Sequence, residues 1–189
     1  MNTEKFFCKS QYTMTDLLQI MEVLRGPEGC PWDREQTHTS IRNNLLEEAY
    51  ETADAIDTAD DTALCEELGD LLLQVVFHAQ IAKEAEQFDF DNVADGICKK
   101  LILRHPHIFG DTVVADSDQV LQNWDSIKMQ EKGQHSYTDT LRSVPKAFPA
   151  LMRAAKIQKR AAKAGFDWDD VAGPLAKVRE ELDELEAVI

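Results

Sequence analysis

The stretch LCEELGDLLLQVVFHAQIA, residues 64–82, decides the fold of this chain. It is long enough for a helix and is apolar almost all the way round, as is typical of a buried helix. On a helical wheel, Phe77 and Ile81 lie opposite a broad apolar face. That face consists of Leu64, Leu68, Leu71, Leu72, Val75 and Ala79. A narrow polar stripe between the two arcs consists of Glu67, Asp70, Gln74 and His78. Because buried carboxylates need a partner or take up protons, we expect a cation against this stripe.

A second acidic stretch, NNLLEEAYETADAI at residues 43–56, supplies matching carboxylates. Glu48 and Glu51 lie one helical turn apart beside an apolar face, with Glu47 at the i,i+4 position relative to Glu51. A short acidic turn at residues 57–61 joins the two stretches, which predicts an antiparallel helical hairpin. The facing stripes would then place Glu48, Glu51, Glu67 and Asp70 around one point. Oxygen-only ligands of this kind suit Mg²⁺ or Mn²⁺ rather than zinc.

The composition narrows the class of protein. The chain has 189 residues and a net charge of −15, which argues against nucleic acid as a partner because phosphate backbones are bound through Lys and Arg. No run reaches the ~18 apolar residues of a membrane span, and no signal peptide is evident. The four cysteines form no CxxC pair and are interpreted as reduced thiols. We therefore expect a cytoplasmic globular protein that binds neither nucleic acid nor membranes.

Two basic and aromatic pairs stand out against this acidic background. Lys100 and Arg104 lie one turn apart on a predicted helix, where they either grip a phosphate chain or form a solvated basic face. Trp124 and Lys128 lie one turn apart on a predicted helix at residues 117–132, and Trp124 either packs in the core or stacks on a base. A run of lysines and arginines at residues 151–164 is either solvated or docks on the acidic body.

Helix-capping and helix-breaking residues predict the bounds of the remaining elements. A first helix is predicted from Asp16, with Thr15 as its N-cap. Two Gly and two Pro in residues 26–40 predict an ordered loop rather than a helix, with Trp32 either covering a site or plugging the fold. His105 and His107 are interpreted as structural rather than as metal ligands, because the proline between them restrains both.

A partial internal sequence repeat predicts the domain organisation. GFDWDD at residues 165–170 resembles GCPWDR at residues 29–34, and each precedes a helix bearing a Glu-Glu-x-x-Glu pattern. The sequence therefore predicts a complete metal-binding helical domain at residues 1–135 and a linker with a basic helix at 136–164. The start of a second, truncated repeat is predicted at 165–189.

Several of these motifs resemble one family. EEAYE at residues 47–51 and ELGD at residues 67–70 resemble the EExxE…ExxD signature of the MazG family. The segments GCPWDREQT, RHPHIFGD and LMRAAKIQKRAAKAGFDW are similar to that family as well. The resemblance implies an all-α helical bundle completed by dimerisation, as a homodimer. It also implies a Mg²⁺-dependent pyrophosphohydrolase, with Mn²⁺ as a possible substitute. Such an enzyme converts nucleoside and deoxynucleoside triphosphates to monophosphate and pyrophosphate, in the housecleaning of nucleotide pools.

The resemblance also implies roles for individual residues. By matching positions, the metal ligands are Glu48, Glu51, Glu67 and Asp70. The predicted substrate-binding residues are Lys100, Arg104, Trp124 and Lys128. Glu47 supports the metal site, and either Glu47 or Glu51 accepts the proton of the attacking water. The alternative is a catalytically weak or inactive dimerisation or interaction module. A ferritin-like di-iron site requires Glu-x-x-His on two helices, and the sequence offers no such pair.

Overall fold

The computed structural model describes residue 6, residues 9–133 and residues 136–189. Within these ranges it has ten helices and no strand, which confirms the predicted all-α fold. The chain divides into two compact units between Leu101 and Ile102. Cys8, one of the four cysteines, lies outside the described residues. None of the described helices is both long enough and apolar enough to cross a membrane.

The first unit is built from five helices, the last of which ends just beyond the division between the units. In chain order they are α1 (Met14–Arg25), α2 (Pro31–Glu35), α3 (Arg42–Asp57), α4 (Asp61–Glu84) and α5 (Phe90–Arg104). The second unit follows with α6 (Pro106–Phe109), α7 (Ser117–Glu131), α8 (Tyr137–Arg142), α9 (Ala150–Ala162) and α10 (Ala172–Glu186).

Helices α3 and α4 form the predicted hairpin. They pack along each other and are joined by only three residues, so they run antiparallel. Ala59 in the turn adopts a left-handed conformation with φ 54°. Asp60 caps α4, because its side chain accepts hydrogen bonds from the backbone N–H groups of Thr62 and Ala63 at 3.0 Å. The turn therefore fixes the start of α4 relative to the end of α3.

The hydrophobic core of the first unit lies against the C-terminal half of α4. Its buried members are Met21, Ile41, Val76 and Phe77. The expectation of a buried helix holds only in part for α4, since Leu68 is 50% exposed and Leu72 is 38% exposed, whereas Ala79 on the same face is 2% exposed. Phe77, on the opposite arc, is 4% exposed. The reason is that α1 packs on the Phe77 side of α4, whereas Leu68 and Leu72 lie in the N-terminal half of α4 and outside that core.

Two boundaries differ from those predicted. Helix α1 begins at Met14, two residues earlier than expected, and its N-cap is Thr13 rather than Thr15. The Asp16 carboxylate accepts hydrogen bonds from the backbone N–H (2.9 Å) and the hydroxyl (2.8 Å) of Thr13, which selects this start. The predicted loop at residues 26–40 contains the short helix α2, which has Pro31 at its first position.

The buried Arg25 holds the loop around α2 in place. Its guanidinium donates to Glu84 (2.7 Å) and to the backbone carbonyls of Asp33 and Gln36, and it lies 5.3 Å from the centroid of the Phe77 ring. Only 5% of the Arg25 side chain is exposed. One side chain therefore connects the ends of α1 and α4 to the loop between α1 and α3.

Candidate metal centre

Three of the four predicted metal ligands converge on the hairpin. Glu48 of α3 and Glu67 and Asp70 of α4 each offer one carboxylate oxygen, and these three oxygens lie within 4.8 Å of one another. The i,i+3 spacing puts Glu67 and Asp70 on one side of α4, and the short turn sets Glu48 opposite them. No other group of three or more potential ligands of this kind is found in the part of the chain that the structure describes.

The two remaining carboxylates of the predicted site, Glu51 and Glu47, lie outside this cluster. Glu51, one turn after Glu48, is outside the trio, but its negative charge raises the pKa of both Glu48 and Glu67. It therefore lies at the edge of the site. Glu47 is exposed on α3 and contributes to neither pKa shift.

The electrostatics of the cluster favour a cation. Partial burial raises the pKa of Glu48, and the neighbouring charges of Asp70, Glu51 and Glu67 raise it further. Burial likewise raises the pKa of Glu67, followed by the charges of Glu51, Asp70 and Glu66. Among the described residues, no Lys, Arg or His forms an ion pair with any of the four predicted ligands. The expected cation against the polar stripe is therefore not a side chain of the described segments, and the all-oxygen donor set fits a hard divalent ion.

The polar stripe of α4 continues into a histidine contact. The Nδ1 atoms of His78 and His38 are 2.8 Å apart, and the two rings are stacked with centroids 5.1 Å apart. Burial lowers the pKa of His78, and the charge of His38 lowers it further. Gln74 Oε1 and His78 Nε2 are buried without a hydrogen-bond partner in the described residues. The contact ties the segment preceding α3 to α4, and the stripe pattern alone did not predict it.

Arg104 is neither solvated nor unpaired. It is 8% exposed, and its Nε and Nη2 atoms donate to Glu131 Oε2 at 2.9 and 2.7 Å. The solvated alternative for this residue is therefore wrong. Glu131, 27 positions away, was missed because a helical pattern does not identify long-range partners. Lys100, one turn earlier on α5, is half-buried.

Trp124 and Lys128 lie together on α7. The Trp124 ring is half-buried, with Arg104 at 5.2 Å and the Lys128 ammonium at 5.0 Å from its centroid. Trp124 and Lys128 belong to the second unit, where they line a cavity of about 540 Å³. The indole therefore contacts cations rather than being enclosed in an apolar core.

Comparison with known proteins points to one family. A model of the MazG nucleotide pyrophosphohydrolase domain matches residues 36–109, which include all the clustered carboxylates. The chain is 50% identical over 170 residues to a nucleoside triphosphate pyrophosphohydrolase of Escherichia coli (strain K12), covering 89% of this chain and 65% of that protein. It is 48% identical over 170 residues to the nucleoside triphosphate pyrophosphohydrolase/pyrophosphatase MazG of Thermotoga maritima, covering 90% of this chain and 65% of that protein.

The comparison with solved structures points to the same family. The crystal structure of a mazG-related protein from Thermotoga maritima superposes with a TM-score of 0.51 and 25% sequence identity. The match covers 60% of this chain and 97% of that one. The chain thus spans 65% of the length of the two curated relatives above, which is less than two thirds, and almost all of the solved structure.

Proposed function

Because this chain belongs to the MazG family, we propose that it hydrolyses nucleoside and deoxynucleoside triphosphates between the α- and β-phosphates. The products are a nucleoside monophosphate and pyrophosphate. The observation that supports this most directly is the convergence of Glu48, Glu67 and Asp70 within 4.8 Å, without a cationic partner among the described residues. Cleavage of a phosphoanhydride depends mainly on positioning and charge neutralisation, which such a site can supply.

The carboxylates of the hairpin are proposed to hold Mg²⁺, with Mn²⁺ as a substitute. Glu48, Glu67 and Asp70 supply the central oxygens, and Glu51 completes the set from the next turn of α3. When bound, the ion supplies positive charge that offsets the carboxylates and phosphates and orients the phosphate oxygens. Either Glu47 or Glu51 accepts the proton of the attacking water. The exposure of Glu47 and the edge position of Glu51 leave both carboxylates able to reach a water molecule.

The substrate is proposed to be held by basic and aromatic residues. The half-buried Lys100 contacts the phosphates. Arg104, held by Glu131 and with its guanidinium carbon 5.2 Å from the Trp124 ring centroid, acts as a pre-oriented cation. Lys128, whose ammonium lies over the same ring, also contacts the nucleotide. The biological role proposed with this activity is the housecleaning of nucleotide pools.

The protein is also proposed to form a homodimer. Apolar side chains on the outer faces of the hairpin are exposed: Leu46 (42%), Tyr50 (55%), Leu68 (50%) and Leu72 (38%). Such a surface is well suited to a second copy of the same chain, and the family resemblance implies a helical bundle completed by dimerisation. Leu68→Glu should convert the dimer to a monomer in sedimentation equilibrium. An unchanged mass would exclude this face as the dimer interface.

The activity is tested by incubating the protein with a panel of ribo- and deoxyribonucleoside triphosphates and Mg²⁺. The expected products are monophosphate and pyrophosphate, whereas diphosphate and phosphate would exclude the proposed bond. Glu51→Gln and Asp70→Asn should abolish pyrophosphate release while the far-UV circular dichroism is unchanged. Asp54→Asn, an exposed position further along α3, is the matched control and should keep full activity. Full activity in Asp70→Asn would refute the site.

A non-catalytic interaction module is the second candidate, and the exposed apolar face of α3 and α4 favours it. The two functions differ in their dependence on metal. A pure interface should gain no thermal stability from Mg²⁺, whereas a metal-dependent hydrolase should gain it.

A further inference from the structure

The second unit contains a basic cavity that the acidic composition of the chain does not lead one to expect. The cavity, about 540 Å³ in volume, is lined by residues of α7, α8 and α9 and of the segments next to them. Six of its lining residues are lysine or arginine and two are aspartate. In a chain of net charge −15, such a concentration of cations needs a physical reason.

Two of these cations have structural partners. Lys163 pairs with Asp125 of α7, and Arg160 donates to the Thr140 carbonyl and to the Ser143 hydroxyl (2.8 Å). These contacts attach α9 to α7 and to the end of α8.

Four other lysines have no such partner. Lys128, Lys132, Lys156 and Lys159 line the cavity without a carboxylate within ion-pair distance in the described part of the chain. They come from two different helices and the residue after one of them, so the fold itself brings their charges together.

The electrostatics indicate that this positive charge is uncompensated. Burial lowers the pKa of Lys128, and the charges of Lys132, Lys156, Arg104 and Arg160 lower it further. Like charges held this close repel one another, and a bound polyanion would relieve that repulsion. The cavity thus has the opposite electrostatic character to the carboxylate cluster on the hairpin.

The lining also includes aromatic and apolar surface. Tyr137 is 55% exposed, and Leu121 and Met129 line the same cavity. Trp124 lies in contact with two cations, and the exposed Tyr137 ring is a further aromatic face that a flat ligand can reach. An aromatic ring next to four lysines that form no ion pair among the described residues suits a ligand with a base at one end and phosphates at the other.

We propose that this cavity binds a nucleoside polyphosphate, with Lys132, Lys156 and Lys159 as phosphate-binding residues and Tyr137 as the stacking surface for the base. The proposal deepens the proposed function and rests on it for the identity of the ligand. It assigns the basic face of α9 to substrate binding, whereas the sequence alone left that face either solvated or docked on the acidic body.

Binding in the absence of metal tests the proposal without requiring hydrolysis. The full chain in EDTA is titrated calorimetrically with ATP and, separately, with inorganic tripolyphosphate. Because each lysine makes a charge-assisted contact with phosphate, Lys156→Ala/Lys159→Ala should weaken both ligands by at least about tenfold. The charge-preserving Lys156→Arg/Lys159→Arg variant should bind both within about threefold of the parent protein.

Two further variants separate the parts of the site. Arg153→Ala removes a cation from the same helix outside the cavity lining, and it should leave both affinities unchanged. Tyr137→Ala should weaken ATP but not tripolyphosphate, because only the nucleotide carries a base.

The outcomes distinguish this proposal from the proposed hydrolase activity. If the double alanine variant binds both ligands as the parent does, the cavity assignment is overturned even when hydrolysis is intact. If the parent releases no pyrophosphate but binds ATP in a lysine-dependent manner, the hydrolase function fails and the cavity stands. Tripolyphosphate binding as tight as ATP binding, with no effect of Tyr137→Ala, would overturn the nucleoside part.

Discussion

Removing one carboxylate from the hairpin should have opposite effects on stability with and without metal. In EDTA, Glu48 is repelled by neighbours whose oxygens lie within 4.8 Å. Each such repulsion is worth about 0.9 kcal/mol in a water-like dielectric, and screening by salt lowers the total for Glu48 to about 1 kcal/mol. Glu48→Gln keeps the shape of the side chain and removes its charge. We therefore expect the variant to unfold about 2–4 °C higher than the parent in EDTA.

With Mg²⁺ the order should reverse. An ion present at 100 times its dissociation constant stabilises the parent by about 2.7 kcal/mol, or roughly 5–10 °C. Glu48→Gln loses one of the three central oxygens, so its gain should be less than about half as large.

Thermal melts of the parent, Glu48→Gln and Asp54→Asn in EDTA and in Mg²⁺ at matched ionic strength measure both effects. Asp54→Asn, on α3 but outside the cluster, should follow the parent in both buffers. The reasoning is refuted if Glu48→Gln melts below the parent in EDTA, or if Mg²⁺ stabilises the variant as much as the parent.

Three further predictions concern the frame of the first unit. The pKa of Asp16 is lowered to about 2 by hydrogen bonds from Lys9 and Thr13, so its stabilising contribution is present above pH 3.8 and is lost as the pH falls towards 2. In urea unfolding, the free energy of unfolding of Asp16→Asn should not show this loss between pH 3.8 and 2. An equal loss in the parent and the variant would show that Asp16 is not its source. A Cβ at Gly29 would lie 2.1 Å from the carbonyl oxygen of Leu24, so Gly29→Ala should cost about 1–3 kcal/mol in chemical denaturation, and a neutral effect would show that the loop can move. Arg25→Met removes a buried guanidinium and leaves Glu84 with only the hydrogen bond from Gln80, with an expected loss of about 2–3 kcal/mol in the same assay; an unchanged midpoint would mean that the loop around α2 needs no anchor.

The hairpin and its carboxylates were predictable because both depend on local spacing. An i,i+3 pair on each helix and a short turn are enough to bring Glu48, Glu67 and Asp70 together. The predicted bounds of α7 agree to within one residue at its C-terminal end for the same reason. The roles assigned to these residues stay predictions until activity and metal binding are measured.

Burial was harder to predict than spacing. A helical wheel identified the two apolar arcs of α4 but not which neighbour each arc meets, so Leu68 was expected inside and is half exposed. The start of α1 lies two residues before the predicted one because Asp16, three residues after Thr13, completes a capping box with Thr13, whereas the prediction took Thr15 as the cap. The short helix α2 was hidden by its glycines and prolines, although proline favours the first turn of a helix.

Partners distant in sequence were not predictable. Arg104 with Glu131 and His38 with His78 are 27 and 40 positions apart, and no periodic pattern connects them. The cavity of the second unit is similar in this respect, because it forms only when α7 and α9 are brought together.

The short sequence separation between Glu48 and Asp70 affects how the hairpin folds. The proposed ligands occur within one short stretch of the chain and are joined by a tight turn, so little loop entropy is lost in bringing them together. Without an ion, however, mutual repulsion opposes the closing of that stretch. We therefore expect Mg²⁺ to accelerate formation of the hairpin in refolding experiments.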